Sequence, residues 1–284
     1  MVLGYHRQQS HALIGIEECP VLAPEIVAKL GALRAIAVAL EGRKGAPVRV
    51  GVLVGPAGLD VAAQVEGPGP DAGRVAGLAQ LARGNGIARI TCNEEVIFVA
   101  APPTLALAGV TLTPPPGLFV QAVAEAEATL VREVSSALAG VRRVTDLFAG
   151  LGTFTFALAH HARVLAVDAE GKALAALVSA VRRAPGLKPV DTLLRDLAHA
   201  PLSARELAPF DGVVLDPPRA GAQAQMEELG RSRVARVAYV SCNPATLARD
   251  MRVLVDAGFR VGRVVPVDQF LFSAQLEAVA VLYR

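Results

Sequence analysis

The chain has 284 residues, 53% of them apolar and 19% charged, with a net charge of +2. That composition supplies a substantial core for one large or two modest domains and excludes a disordered chain. With no run of about 18 apolar residues and no charged-then-apolar leader, neither a membrane span nor secretion is expected, and the protein is placed in the cytoplasm.

Three widely spaced cysteines, Cys19, Cys92 and Cys242, form no disulfide framework and no four-thiolate set, so no metal site is expected. Arginines cluster at Arg142–Arg143, Arg182–Arg183 and Arg231/Arg233/Arg236, but a net charge of +2 does not by itself point to a nucleic-acid partner.

Irregular chain is expected over 1–22. Apolar residues Ile26, Leu30, Leu33, Ala37 and Leu40 then recur at three-to-four spacing, which predicts a helix over 23–40. Strand-like runs at 48–54 and 59–65 flank a Gly-Pro-Ala-Gly turn; a helix follows over 72–83, and 88–92 with 96–100 forms another hairpin. These elements predict a small α+β domain, residues 1–113, with an antiparallel sheet. Pro114-Pro115-Pro116-Gly117 marks the boundary to a second domain, 114–284.

Beyond it, strands alternate with helices: helix 120–139, strand 144–148, helix 153–161, strand 164–168, helix 171–183 and a short strand near 190–195. Strands 212–216 and 237–242 follow with a helix between them, then helix 245–257 and two closing strands, 259–267 and 276–283. The fold class predicted is α/β: a Rossmann-like, doubly wound parallel sheet with an antiparallel C-terminal hairpin.

The first strand of this domain runs into Asp146-Leu-Phe148-Ala-Gly150-Leu-Gly152-Thr153, a glycine-bearing turn that opens a helix. Glycines let a ligand approach the backbone, and the helix start offers free N–H groups. Asp168, ending the next strand, could accept ribose hydroxyls. A dinucleotide fingerprint would place a third glycine where Thr155 stands, which favours S-adenosyl-L-methionine (SAM) over NAD. A tight turn without a ligand would explain the glycines alone, but not Asp146, Asp168 and Asp196 recurring at successive strand ends. Asp216-Pro-Pro-Arg219, Ser241-Cys242-Asn243-Pro244 and Glu277 add an acid, a thiol and a second acid on the same rim.

Over FVQ (119–121), DLFAGLGTF (146–154), DPPRAG (216–221), SCNPATLARD (241–250), PVDQF (266–270) and Glu277, the chain resembles the RNA 5-methyluridine methyltransferases. The resemblance implies a class I methyltransferase that uses SAM to methylate C5 of a uridine, flipped out of a structured ribosomal or transfer RNA. It implies Cys242 as nucleophile, Glu277 as the base that removes the C5 proton, and Asp216 beside the uracil. Gln121, Phe148, Gly150, Gly152, Thr153, Asp168, Asp196 and Asp216 match family positions that hold SAM or lie beside the base. No obligate protein partner is implied. Typical members begin with an RNA-binding β-barrel, and some carry a four-cysteine iron–sulfur cluster; neither is expected here, Cys19 aligning with the last cluster ligand alone. Members commonly have Asn where Val123 stands and His where Gln275 stands, so activity weaker than that of a full-length relative is expected. An amine methylase would want an aromatic at Arg219, and a cytosine C5 enzyme a Pro-Cys pair. A non-catalytic SAM- or RNA-binding paralogue is the reading from another class.

Overall fold

The computed structural model describes residues 2–7, 10 and 12–284. The chain divides into two compact units, one made of Met1–Leu105 with Thr113–Leu118, the other of Ala106–Leu112 with Phe119–Arg284. The division differs from a single break at 113/114. Residues 106–112 form a short hairpin that packs on a helix of the second unit, and the prolines at 114–116 belong with the first.

In the first unit, β1 (Gly4–His6) and β2 (Leu13–Gly15) pair as a two-stranded ribbon. The helix expected over 23–40 is two helices, α1 (Pro24–Val27) and α2 (Leu30–Leu40). Proline at the first position starts α1, but α1 buries no residue, so packing does not force the two pieces into one rod. α2 buries Leu30, Leu33, Ile36 and Leu40. β3 (Arg49–Gly55) and β4 (Gly58–Gln64) form the expected hairpin. α3 (Ala72–Asn85) is capped by the Asp71 carboxylate at its start and by left-handed Gly86 at its end. β5 (Ile87–Cys92) and β6 (Glu95–Val99) complete a sheet ordered β3-β4-β5-β6.

That sheet is mixed, not antiparallel: β4 and β5 run parallel. The helix between them carries the chain back to the strand's starting end, which is what a parallel neighbour requires. Leu33, Ile36, Leu40, Val61, Leu78, Ile87 and Ile90 fill the core between helices and sheet.

The second unit opens with β7 (Leu105–Leu107) and β8 (Val110–Leu112), then α4 (Ala124–Ala137). Its main sheet takes β9 (Arg143–Leu147), β10 (Arg163–Asp168), β11 (Val190–Leu194), β12 (Gly212–Leu215), β13 (Arg236–Ser241), β14 (Arg260–Val267) and β15 (Glu277–Tyr283). The crossings are α5 (Thr153–Ala159), α6 (Gly171–Arg183), α7 (Ala204–Leu207), α8 (Gln223–Arg231) and α9 (Pro244–Asp256). The short α7, held by a reciprocal Ser203–Glu206 capping box, was not expected from the sequence.

The sheet order is β11-β10-β9-β12-β13-β15-β14, with the first five strands parallel. β15 inserts antiparallel between β13 and β14. Central strands such as Gly212–Leu215 are buried throughout because helices cover both faces. One core gathers Leu147, Leu215, Met226, Tyr239 and Leu254; the other gathers Leu130, Val144, Phe154, Leu158 and Val240.

α4 begins without a side-chain cap: Val123 has the extended N-cap backbone but no oxygen to offer. Val123→Asn should therefore stabilise the protein by about 1 kcal/mol, seen as a higher thermal midpoint of unfolding.

Candidate active site

β9 ends at Leu147, and the chain then turns through Phe148 (φ 60°), Gly150 (φ 53°) and Gly152 (φ 96°) before α5 begins at Thr153. A left-handed backbone is costly for phenylalanine; the half-buried Phe148 ring packs against the core. At Gly152 a Cβ would stand 2.8 Å from Leu177 Cδ1 and 3.1 Å from Phe156, both buried side chains. At Gly150 a Cβ would meet nothing within 4 Å, so this side of the turn is open to a ligand.

Asp168 closes the other side of the turn. Its carboxylate accepts the Gly150 N–H at 2.8 Å through Oδ2 and the Glu170 N–H at 2.7 Å through Oδ1. Each oxygen keeps a lone pair for further donors, in a carboxylate already fixed in place. An open glycine backbone beside a fixed acid fits the aminoacyl and ribose groups of SAM. Asp196 follows β11, is exposed, and accepts His199 Nδ1 at 2.8 Å and its own turn's Ala198 N–H at 2.9 Å. The His199 hydrogen bond holds its carboxyl below the usual range.

Beneath the turn, Asp146 is fully buried. Its Oδ2 accepts the Thr155 hydroxyl at 2.6 Å, while Oδ1 has no partner among the described residues. Thr155, notable in the sequence only as a missing glycine, thus anchors an acid. Burial pushes the Asp146 carboxyl from 3.8 up to about 7, against the Thr155 hydrogen bond and with a smaller contribution from Asp168.

The thiol and the two acids meet at the carboxyl ends of β12 and β13. β13 and β15 pair in antiparallel register with Ser241 opposite Ala278, so Cys242 and Glu277 are the next residues on neighbouring strands. Glu277 is buried and its Oε2 has no hydrogen-bond partner among the described residues. Burial pushes its carboxyl up, and the adjacent Gln269 amide pulls the other way. Asp216 follows β12 and accepts Gln121 Nε2 at 3.3 Å. Burial, then the charges of Glu277 and Asp146, drive the Asp216 carboxyl well above its usual range. Cys242 is half-buried, and its thiol is pushed up by burial and by Glu277, partly offset by Arg219.

The structure also shows what holds this rim. Asp250 on α9 is fully buried and satisfied: Oδ2 accepts the Ala222 N–H and the Tyr239 hydroxyl, each at 2.6 Å, and Oδ1 accepts Arg249 Nε at 2.8 Å. Arg249 also donates to the Ala220 carbonyl at 2.9 Å, while Asn243 and Thr246 donate to the Arg219 carbonyl at 3.0 and 3.3 Å. The Asp216-Pro-Pro-Arg219 loop is therefore tied to the helix that follows Cys242. Arg219 donates in turn to Gln275 Oε1 at 2.6 Å, so Gln275 holds the loop leading into Glu277. Asp250, Tyr239 and Gln269 were not singled out from the sequence. Aspartate within Ser-Cys-Asn-Pro-Ala-Thr-Leu-Ala-Arg-Asp was the available signal for the first.

Residues 201–284, which carry Asp216, Cys242 and Glu277, match the family model described as tRNA (Uracil-5-)-methyltransferase. Over 285 residues the chain is 45% identical to an uncharacterized RNA methyltransferase of Rhizobium meliloti, covering 100% of this chain and 68% of that protein. The chain belongs to the RNA (uracil-5-)-methyltransferase family. The methyl donor of this family is SAM. Another relative, at 37% identity over 99% of this chain and 61% of its own length, is the 23S rRNA (uracil(1939)-C(5))-methyltransferase RlmD of Chromohalobacter salexigens. The Pyrococcus abyssi tRNA (uracil-54, C5)-methyltransferase, solved with S-adenosyl-L-homocysteine, superposes with a TM-score of 0.72 at 23% identity. It covers 98% of this chain and 72% of its own, and shares the fold.

Two outcomes follow for the free protein. Folding raises the Asp146 pKa, so its contribution to stability is full below about pH 3.8 and is lost as pH rises through about 7. Asp146→Asn should flatten that part of the stability profile in denaturant titrations from pH 4 to 8. Gly152→Ala should destabilise by roughly 1–3 kcal/mol, because it forces a side chain onto left-handed backbone and into Leu177; thermal melts would show it.

Proposed function

We propose that this chain transfers a methyl group from SAM to C5 of a uridine in ribosomal or transfer RNA, through a transient bond between Cys242 and C6. The observation that carries this reading is the β13–β15 register, which sets Cys242 beside Glu277 with Asp216 on the adjoining strand end.

C5 of uracil is too poor a nucleophile to take a methyl group unaided. Bound SAM would supply an electrophilic methyl on a sulfonium. Gly150 would leave the backbone open to it, Gly152 lets the turn pack on Leu177 and Phe156, Asp168 would accept its ribose hydroxyls, and Gln121, Phe148, Thr153 and Asp196 line the same rim. Cys242 gives its proton to water, which leaves the Glu277 carboxylate free, and its sulfur adds to C6. The C5–C6 π pair moves onto C5 and the C4 carbonyl, so that C5 accepts the methyl group. Glu277 then takes the C5 proton; the released pair restores the C5–C6 double bond and expels the Cys242 sulfur. Arg219 beside the thiol offsets the cost of the thiolate. Asp216 faces the polar edge of the base. A base inside a helix cannot reach such a rim, so the substrate is a uridine unstacked from a loop.

The test is incubation of wild type, Cys242→Ala and Glu277→Gln with labelled SAM and RNA from cells lacking uridine C5 methylation, followed by digestion to nucleosides. Wild type yields 5-methyluridine. Cys242→Ala yields none, and Glu277→Gln accumulates a denaturant-stable protein–RNA adduct. Methylation by Cys242→Ala at a tenth of the wild-type rate or more would overturn the covalent mechanism.

A further inference from the structure

The loop between β14 and β15 holds an aromatic ring that the mechanism leaves without a task. Phe272 is 88% exposed, more than any other large apolar side chain among the described residues. Its neighbour Leu271 is 57% exposed. Both sit at the tip of a turn closed by the Ser273 N–H, which donates to the Phe270 carbonyl at 3.1 Å. Phe272, the third residue of that turn, has a φ of 64°. A positive φ there is ordinarily the place of glycine or asparagine, and for a bulky side chain it is costly. Neither core packing nor backbone preference therefore accounts for a phenylalanine at this tip.

The turn is braced and tied to the rim. The Ser273 hydroxyl donates to the Phe270 carbonyl at 2.8 Å and accepts the Gln275 N–H at 3.1 Å. Gln275 Oε1 accepts Arg219 Nη2 at 2.6 Å. The Arg219 carbonyl accepts Asn243 Nδ2 at 3.0 Å, one residue beyond Cys242. Glu277 follows Gln275 by two residues and opens β15. A braced, solvent-facing ring thus stands on the loop that borders the thiol and the buried acid, with the exposed Arg219 in the same network.

A ligand that covers such a ring and also suits the arginine is flat and apolar on its faces and anionic along one edge. A nucleobase on its phosphate backbone meets both conditions. Drawing a uridine out of its stack uncovers the faces of the bases on either side. An aromatic ring at the border of the receiving site can cover one of them.

We propose that Phe272 stacks on the nucleobase beside the target uridine and keeps the RNA loop open while the uridine occupies the rim. The proposal rests on the reading of this rim as the uridine site. A ring already fixed in place loses little freedom on binding, which is what the Ser273, Gln275 and Arg219 hydrogen bonds supply.

The experiment reads binding and stability, so it does not depend on methyl transfer. Two RNA hairpins are titrated at one salt concentration, one with a loop of uridines and the other with the same loop made abasic. Wild type binds the uridine loop more tightly. Phe272→Ala and Phe272→Leu lose affinity for it by roughly 5- to 100-fold, the effect of removing one base–aromatic stack. Phe272→Tyr and Phe272→Trp retain it, and on the abasic loop all of these proteins bind alike. Phe272→Gly also loses affinity for the uridine loop, yet its thermal midpoint equals or exceeds that of wild type, because glycine relieves the left-handed backbone. Equal binding of the two hairpins by wild type, loss of affinity in both ring-bearing variants, full affinity in the leucine variant, or a lowered midpoint in the glycine variant overturns the proposal. Absence of 5-methyluridine in the nucleoside assay would instead overturn the functional reading and leave the stacking contact standing.

Discussion

The insertion of β15 antiparallel between β13 and β14 is the constraint on which the site depends. In a purely parallel sheet, the start of the last strand would lie at the end remote from the glycine turn. Reversing that strand brings its first residue to the rim where the other strands finish. The Ser241–Ala278 pairing then makes Cys242 and Glu277 neighbours. Strand register has a period of two, so a one-residue slip would turn Glu277 to the opposite face. The buried Val279, Ala280 and Leu282 oppose such a slip, because it would exchange the faces that each presents to its core.

Polar satisfaction is uneven across this unit. Asp250 has a donor for each oxygen and ties the Asp216 loop to α9. It is a scaffold, and a buried carboxylate with a full set of donors is stable as such. Asp146, Glu277 and Gln269 each keep a buried oxygen without a partner. Those three lie beneath or beside the rim; Glu133 on α4 keeps another such oxygen, set against Arg263 at 2.7 Å. Unpaired acceptors are a stability cost that a folded protein keeps where protons or substrates are to be handled.

Much of the second unit was legible because parallel strands and their helices leave strong periodic traces. The glycine turn, Asp168, Asp216, Cys242 and Glu277 could be ordered along the rim by assuming strand–helix alternation. Less was legible in the first unit. Its helix breaks at Lys29 although the apolar spacing continues through Ile26 and Leu30, since spacing records which face is apolar and not whether packing holds both turns in one rod. The parallel pairing of β4 and β5 was missed because hairpin turns are local signals, while the neighbour gained across a helix is set by the whole sheet.

The sequence by itself determined the strand–helix alternation of the second unit, the glycine-bearing turn and the candidate side chains at its strand ends. Each rests on residue type and on spacing within a few residues, where local sterics and periodicity decide. Tertiary structure alone decided that Gln269 reaches Gln121, that Thr155 binds Asp146, and that Asp250 joins Tyr239 to the Ala222 backbone. The Gln269–Gln121 contact joins residues 148 apart in the chain, and no local pattern encodes it. Such contacts come from register and close packing between strands distant in sequence, and these fix which partners the buried acids and amides have.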